Sequence, residues 1–128
     1  MEEEIKQAAQ RFLTAFDHLN WEAFSRLVAQ DVTVIMPWPS FPNRLDGIAE
    51  VEAVFRPFFE TASQERTGPP YLNLEPQGLQ IQAFNEVGLV TFHLSEEDHF
   101  GRRTLIFEKR ENHWLLVHLH ASNFYHAV

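Results

Sequence analysis

The hydrophobic period of this chain changes once, near residue 71, and that change constrains the fold more than any other feature. Before it, apolar residues recur every three or four positions, which is typical of helices; after it they alternate, which is typical of strands. Helices that come first and strands that follow predict an α+β domain in which helices cover one face of a sheet. The 128 residues are predicted to form a single domain over residues 1–128.

Three helices are predicted in the N-terminal half of the chain. Residues 4–19 keep a helical period, and Asn20 is a residue type that caps the start of a second, shorter helix. Residues 46–62 return to the same period. Pro57 lies within this segment and lacks the backbone N–H of a helix interior, so it predicts either a kink or a helix in two pieces.

Six strands are predicted, the first of them separated from the others by the third helix. They cover residues 31–36, 71–75, 78–84, 87–97, 102–110 and 113–124. The three prolines of segment 37–44 indicate a loop. Turn residues between the last five strands indicate an antiparallel meander.

Side chains alternate along the last three strands, so parity assigns each of them to one face of the sheet. The more apolar set is predicted to face the helices: Val90, Phe92, Leu94, Leu105, Phe107, Val117, Leu119 and Ala121. The other set is mixed: Thr91, His93, Arg102, Thr104, Glu108, His118 and His120. Because Ile106, Trp114 and Leu116 add apolar surface to this second face, it is predicted to meet a partner. A β-bulge would reverse part of the assignment.

The charge and composition exclude several classes of function. The net charge is −8 and no basic block is present, which argues against nucleic acid and against anionic membrane surfaces as partners. The absence of cysteine excludes disulfides, thiol catalysis and cysteine-based zinc sites. The acidic N-terminus does not look like a leader, and no apolar run approaches the roughly 20 residues of a membrane span, so a cytoplasmic location is expected.

Several segments together resemble the nuclear transport factor 2-like superfamily, and its SnoaL-like proteins most closely. They are "DVTVIMP", "DGIAEVEAVF" and "GRRTLIFEKRENHWLLVHLHASN". The last segment is also similar to the association domain of calcium/calmodulin-dependent protein kinase II, where "W-x-x-V-H-x-H" recurs. The resemblance implies a cystatin-like roll, in which a cone-shaped, curved antiparallel sheet wraps around the N-terminal helices. It also implies an apolar pocket inside the cone and homodimers that pack through the convex sheet face.

The catalytic residues of the ketosteroid isomerase branch do not carry over to this chain. Its Tyr, general-base Asp and protonated Asp align with Phe12, Met36 and Leu105, none of which can move a proton. The arginines of the kinase association domain's pocket align with Leu94, Leu105 and Ala121. Whether the chain is an enzyme is therefore left open, and no cofactor is predicted.

The predicted pocket combines an aromatic and aliphatic wall with one inward-pointing arginine. Its residues are Phe12, Phe16, Met36, Trp38, Phe55, Phe59, Phe92, Leu94, Arg103, Leu105, Leu119 and Ala121. Arg103 is a candidate anchor for a carboxylate or enolate, and Glu96 a candidate general base, although an ion pair between the two is an alternative. Trp38 and Phe41 either form a lid or pack on the third helix.

His118 and His120 lie two positions apart on one strand face, a spacing that metal ligands can have. No metal site is predicted, because a face that meets a partner offers no water-filled cavity. The predicted dimer interface instead contains Thr91, His93, Thr104, Ile106, Leu116, His118 and His120.

Three functions remain open from the sequence. The first is a homodimeric protein that binds a small hydrophobic or carboxylate ligand. The second is a SnoaL-like cyclase, isomerase or dehydratase acting on a small hydrophobic ketone or aromatic substrate. The third is an oligomerisation module without chemistry.

Overall fold

Three helices precede four long strands, as the change in hydrophobic period predicts. The computed structural model describes residues 1–126. Its elements are α1 (Glu2–Asp17), α2 (Trp21–Arg26), β1 (Val28–Ile35), β2 (Leu45–Asp46), α3 (Ile48–Glu65), β3 (Gln77–Phe84), β4 (Val87–Ser95), β5 (His99–Arg110) and β6 (His113–Tyr125). The predicted α+β class is confirmed.

The helices form where capping and periodicity predict them. In α2 the side chain of Asn20 accepts a hydrogen bond from the Ala23 N–H at 3.1 Å. Helix α3 is continuous from residue 48 to residue 65, so the prediction of two pieces is wrong. Pro57 and Ala53 lie on the exposed side of α3. Because Pro57 has no N–H, the Ala53 carbonyl lacks its usual helical hydrogen bond. Water can reach this carbonyl on the exposed side of the helix.

The six strands form one curved open sheet in the order β2-β1-β6-β5-β4-β3. Neighbouring strands are antiparallel except for β1 and β6, which are parallel, so the predicted all-antiparallel description does not hold for that pair. The parallel pair arises because α3 and the meander separate β1 from β6 in the sequence. It gives the long C-terminal strand a neighbour on each side.

The predicted strand over residues 71–75 is absent from the sheet. Asp17, in the last turn of α1, accepts backbone N–H hydrogen bonds from Leu72, Asn73 and Leu74 at 2.8, 2.7 and 3.2 Å. The Tyr71 N–H binds the Asp17 carbonyl at 2.8 Å. Because these N–H groups bind α1, the segment closes over the end of that helix instead of pairing with a strand.

A β-bulge in β6 changes the predicted faces of the sheet. Ile106 pairs with His118 and Phe107 pairs with Leu116, so Val117 is the extra residue. On the N-terminal side of the bulge, Trp114 and Leu116 turn inward and are 7% and 0% exposed. The predictions that Val117 faces the helices and that Leu116 lies in a dimer interface are therefore wrong. On the other side of the bulge, Leu119 and Ala121 are buried, as parity predicts.

Much of the phenylalanine content forms an aromatic cluster beneath the helices. Phe24 lies at its centre, with ring centroids 5.2 Å from Phe12, 5.7 Å from Phe55 and 5.3 Å from Phe59. Phe55 and Phe59 are 0% and 2% exposed. The cluster joins all three helices and fixes their packing over the sheet.

Within residues 1–126, no helix is both long enough and apolar enough to cross a membrane.

Candidate functional site

A cavity of about 370 Å³ lies between α1, the segment after β1 and the inner face of the sheet. Its apolar wall contains eight of the predicted pocket residues: Phe12, Phe16, Met36, Trp38, Phe92, Leu94, Leu105 and Leu119. Arg103 lies at its polar end. Phe55, Phe59 and Ala121 are instead buried in the core and do not line it.

The loop and helix residues around the cavity extend the predicted apolar wall. Trp38 packs on α3, with ring centroids 5.0 Å from Phe55 and 4.8 Å from Phe58, and also lines the cavity. Leu72 and Leu74 line the cavity as well, because their backbone N–H groups donate to the Asp17 carboxylate and so hold the segment over the end of α1. Sequence reasoning missed these two leucines because it placed them in a strand.

Arg103 brings a positive charge to the polar end of the cavity. Its Nη1 donates to the carbonyl oxygens of Arg102 at 3.1 Å and Ser122 at 3.4 Å. Among the described residues, no carboxylate oxygen lies within 4.0 Å of it, so the alternative of an ion pair with Glu96 is not formed. Burial lowers the pKa of Arg103, and the more distant charge of Glu96 acts in the opposite direction.

Gly101 makes room for the Arg103 guanidinium. A Cβ atom on Gly101 would lie 3.0 Å from Nη1 and 3.2 Å from Nη2 of Arg103. The guanidinium therefore folds back over the backbone of residue 101. In this position it forms part of the cavity wall.

Asn123 lies across the β5–β6 pair from Gly101 and also lines the cavity. Its Nδ2 donates to the Tyr125 hydroxyl at 3.4 Å. Its Oδ1 is buried and has no hydrogen-bond partner within residues 1–126. Such an acceptor is costly to bury, and a ligand with a donor group would satisfy it.

His99 is a cavity residue that sequence reasoning missed. Its Nδ1 lies 2.7 Å from an Asp98 carboxylate oxygen, and its ring centroid is 5.1 Å from that of Tyr125. The hydrogen bond with His99 is the main cause of a lowered pKa at Asp98. The turn residues Asp98 to Gly101 predict a turn over 98–101, whereas β5 already begins at His99. Extending the alternation back from Arg103 through Gly101 would have placed His99 on the inner face.

Glu96 lies at the mouth of the same cavity and is exposed. Its backbone N–H donates to the His99 carbonyl at 2.9 Å, which closes the β4–β5 hairpin. The cavity therefore combines an apolar body with an end that carries an arginine, a histidine, a carboxylate and an amide. This arrangement can hold an apolar molecule with an anionic or carbonyl group, and it also contains groups that can exchange a proton.

The opposite face of the sheet carries the two histidines of the C-terminal motif. His118 Nδ1 lies 2.7 Å from the Thr33 hydroxyl, and burial is the main cause of a lowered pKa at His118. The rings of His118 and His120 are 6.2 Å apart. Among residues 1–126, no three His, Asp or Glu side chains are grouped so that they would hold a metal ion.

A larger hollow of about 870 Å³ lies at the other end of the molecule, between α1, α2 and the β5–β6 turn. Its charged residues include Arg110, which binds Asp31 at 2.8 Å and also Glu108. Both hydrogen bonds raise the pKa of Arg110. Because Arg110 already binds two carboxylates of the same chain, it is not available to a ligand. The 370 Å³ cavity is therefore the stronger candidate site.

The family model described as a SnoaL-like domain matches residues 5–126. No curated protein matches this sequence significantly. Among solved structures, a putative dehydratase of the NTF2-like family from Streptomyces avermitilis is 17% identical; the match covers 95% of each chain with a TM-score of 0.77.

Two further solved structures have the same fold. An NTF2-like protein of unknown function from Pseudomonas putida is 20% identical over 94% of this chain and 84% of that chain, with a TM-score of 0.72. A CaMKII hub from S. rosetta is 19% identical over 96% of each chain, with a TM-score of 0.71. These matches show the fold of the chain. They do not identify a ligand for the cavity.

Proposed function

Because this chain belongs to the SnoaL-like domain family, we propose that it is a small-molecule-binding protein. The ligand is an apolar molecule with one anionic end, such as a hydrophobic carboxylate. The single observation that supports this most is the Arg103 guanidinium, which lies at the end of an apolar cavity without a carboxylate partner among the described residues.

The charge of Arg103 selects the ligand's polar end. A partly buried cation without a counter-ion is unfavourable, so an incoming carboxylate would gain charge-assisted hydrogen bonds that water provides less well there. A guanidinium presents paired N–H groups that match the two oxygens of a carboxylate. Arg103 uses Nη1 for backbone carbonyls, which leaves its other N–H groups for a ligand.

The apolar wall selects the rest of the ligand. Phe12, Phe16 and Phe92 line the cavity, and its volume of about 370 Å³ lies at the small end of typical ligand sites. A single aromatic ring with a short chain suits such a cavity better than a fused polycyclic molecule. The ligand class is therefore an aryl or short-chain carboxylate.

A thermal-shift series tests this proposal. We expect 4-phenylbutyrate and related aryl carboxylates to raise the melting temperature in a concentration-dependent way, because a ligand that binds only the folded state stabilises it. Acetate at the same ionic strength is the matched control, since it carries the charge without the apolar body. If no aryl carboxylate changes the melting temperature at concentrations up to about 10 mM, where even weak ligands bind, the proposal is contradicted.

A SnoaL-like cyclase, isomerase or dehydratase is the second candidate function, on a small hydrophobic ketone or aromatic substrate. The observation that favours it is the presence of Glu96 and His99 at the polar end of the cavity. An enzyme of this kind needs at least one titratable group in contact with its substrate. Turnover of a ligand found by thermal shift would separate an enzyme from a pure binding protein.

The protein is further proposed to form a homodimer through the outer face of the sheet. This face carries Thr91, His93, Thr104, Ile106, His118 and His120, which are partly exposed or exposed. Several structural neighbours are CaMKII hub or association domains, which is consistent with self-association. Light scattering distinguishes the alternatives, since a non-catalytic oligomerisation module predicts a larger assembly than a dimer.

A further inference from the structure

The outer face of the sheet carries a compact set of polar side chains around a shallow hollow of about 450 Å³. We propose that this set binds a terminal phosphate group, either as free phosphate or as a small phosphate monoester. The set, here named the outer cluster, consists of Thr91, His93, Arg102, Thr104, His120 and Ser122. This site is separate from the proposed ligand site in the cavity, since the two lie on opposite faces of the sheet.

The strand register arranges the outer cluster in two rows that cross β4, β5 and β6. One row runs from Thr91 through Thr104 to His120, and the other row contains the remaining three residues, which are also cross-strand partners. Neighbouring strands are about 4.8 Å apart, and the two rows are about 7 Å apart along each strand. A tetrahedral oxyanion that lies between the rows is therefore within reach of side chains from all three strands.

The outer cluster consists entirely of side chains that can donate a hydrogen bond. Its three hydroxyl groups and its two imidazole rings each donate at least one hydrogen bond, in either protonation state of the rings, and Arg102 adds a charged fork of N–H groups. Within residues 1–126, none of the six side chains makes a hydrogen bond or an ion pair with another protein group. These donors are therefore available to an anion from solution.

Two aromatic rings position the cationic row of the outer cluster. The Arg102 guanidinium lies over the ring of Phe124, with its central carbon 4.8 Å from the ring centroid. The His93 ring meets Phe100 edge-on, with centroids 5.4 Å apart. Both contacts restrict side chains that would otherwise be mobile at the surface, so less conformational entropy is lost when an anion binds.

A β-bulge in β3 keeps one side of the hollow open. Gly78 and Leu79 of β3 lie opposite the single residue Phe92 of β4. Gly78 has a φ of 63° and lines the hollow. Even a Cβ atom at this position would lie 3.5 Å from the His93 ring. Because glycine has no side chain, nothing at position 78 covers the imidazole from this side.

The strands of a second copy of the chain offer no free carboxylate to the outer cluster. The six strands contain only three acidic residues, Asp31, Asp46 and Glu108. Asp46 binds Arg44 of its own chain at 2.6 Å, and the other two bind Arg110. If the proposed dimer covers this face, the charge of the outer cluster is therefore balanced by a small anion and not by the strands of the second copy.

The number of donors selects a terminal phosphate over a phosphodiester. A terminal phosphate presents three free oxygens and carries nearly two negative charges at about pH 7.5, because its second pKa is about 6. A diester has two free oxygens and one charge. Since the hollow is open to solvent, the rest of a monoester can extend away from the sheet.

Calorimetric titration with inorganic phosphate, glycerol phosphate and dimethyl phosphate tests the site. Sodium chloride keeps the ionic strength constant, so that screening is the same in every titration. We expect inorganic phosphate or glycerol phosphate to bind with a Kd on the order of 1 mM, and dimethyl phosphate to bind at least about tenfold more weakly. Tighter binding of glycerol phosphate than of inorganic phosphate would assign the site to monoesters, and the reverse order would assign it to free phosphate.

Four variants locate the binding site. Arg102→Met should weaken phosphate binding at least about tenfold, and Arg102→Lys should weaken it less because the charge remains. Thr104→Val removes one hydroxyl at nearly constant volume and should weaken binding about threefold. Arg11→Met is the matched control, since Arg11 is an exposed arginine without an ion pair among the described residues, and it should bind like the wild type. Circular dichroism spectra and melting temperatures check that each variant is folded.

Three outcomes would overturn the inference. The first is that neither inorganic phosphate nor glycerol phosphate shows saturable binding, which would leave the cavity and dimer proposals untouched. The second is an equal loss of affinity in Arg11→Met and Arg102→Met, which would show binding to surface charge in general. The third is that dimethyl phosphate binds as tightly as the terminal phosphates. Phosphate binding that depends on Arg102 in a monomeric protein would support the site and contradict only the proposed dimer.

Discussion

The Arg103 side chain illustrates how a single residue defines a candidate site. Its guanidinium is partly buried, is held by two backbone carbonyls and has no carboxylate within 4.0 Å among residues 1–126. A surface arginine in water would gain little from a ligand carboxylate, whereas a desolvated one gains more because screening is weaker. The conformation of this side chain depends in turn on the empty space above Gly101.

The substitution Gly101→Ala tests that dependence. A new Cβ would meet the two terminal nitrogens of Arg103 at 3.0 and 3.2 Å, so the flexible end of the arginine has to move. We expect the free energy of unfolding to change by less than about 1 kcal/mol, since the displaced group is the end of a long side chain. The affinity for 4-phenylbutyrate should fall at least about fivefold in calorimetry. An unchanged affinity would mean that the guanidinium does not need its present position.

His118 predicts a specific pH dependence of stability. Its pKa is lowered from the ordinary value of about 6.5, mainly by burial and further by the charge of His120. The unfolded chain therefore takes up this proton at a higher pH than the folded protein does. As the pH falls below about 6.5, protonation of the unfolded state at this site lowers the free energy of unfolding.

Urea denaturation at pH 7.5 and pH 5.5 measures this contribution. The wild-type protein should lose more stability between the two pH values than His118→Gln, which removes the titrating ring. His113→Gln changes an exposed histidine and should lose as much stability as the wild type. Equal losses in His118→Gln and the wild type would show that His118 does not contribute.

For single residues, the sequence predicts which face of the sheet a side chain lies on only where the strand register is known. Parity placed Arg103 on the inner face because the residues around it alternate regularly. The same rule missed His99, because Asp98 and Gly101 suggested a turn and the strand was started three residues late. Side-chain hydrogen bonds such as that between Asp98 and His99 depend on rotamers that a sequence pattern does not contain.

At the scale of elements, the bulge at Val117 decides which residues of β6 enter the core. It adds one residue to β6 opposite Ile106 and Phe107, and this reverses the facing of every residue on its N-terminal side. Leu116 is consequently fully buried, and Val117 is only partly buried. Parity without the bulge predicts the opposite order.

A pair of truncations tests the bulge directly. Leu116→Ala should lower the free energy of unfolding by about 2–5 kcal/mol, because it leaves a cavity in a closed core. Val117→Ala should lower it by about 1 kcal/mol or less, since the valine is partly exposed. Chemical denaturation of both variants gives the two values. A larger loss in Val117→Ala than in Leu116→Ala would place Val117 in the core and contradict the observed register.

The elements that the sequence failed to predict were decided by contacts between distant residues. Segment 71–75 has the composition of a strand, yet Asp17 binds its N–H groups 55 to 57 residues away. The parallel pairing of β1 with β6 likewise joins residues more than 80 positions apart. Local propensity contains neither contact, whereas the long helices and the β3–β6 meander are set by local period and were predicted from it.

At the scale of the whole molecule, the two faces of the sheet carry different parts of the proposed function. The inner face contributes Phe92, Arg103 and Leu105 to the cavity, and the outer face carries Thr104 and His120, which are cross-strand partners. Because side chains alternate along β5, its inward-facing residues line the cavity and its outward-facing residues lie in the proposed dimer interface.

Thr104→Asp combined with His120→Asp tests the proposed dimer. Two carboxylates side by side repel each other and their copies in the facing subunit, so the dimer should dissociate. Size-exclusion chromatography with light scattering should give a dimer of about 30 kDa for the wild type, twice the 15.0 kDa chain, and a monomer for the variant. Gln7→Glu with Gln10→Glu adds two charges to the exposed side of α1 and should remain a dimer. An unchanged mass in the first variant would exclude the outer face as the interface.

Calorimetric titration of 4-phenylbutyrate and its uncharged amide into three proteins tests directly whether Arg103 recognises an anionic ligand. The wild type should prefer the carboxylate by about tenfold or more, which corresponds to about 1.4 kcal/mol or more. Arg103→Met should lose this preference while retaining the apolar contribution. Arg102→Met, on the outer face beside Phe124, should keep it. The same preference in Arg103→Met as in the wild type, or no binding of either ligand to the wild type, would contradict a cavity that recognises an apolar anion through Arg103.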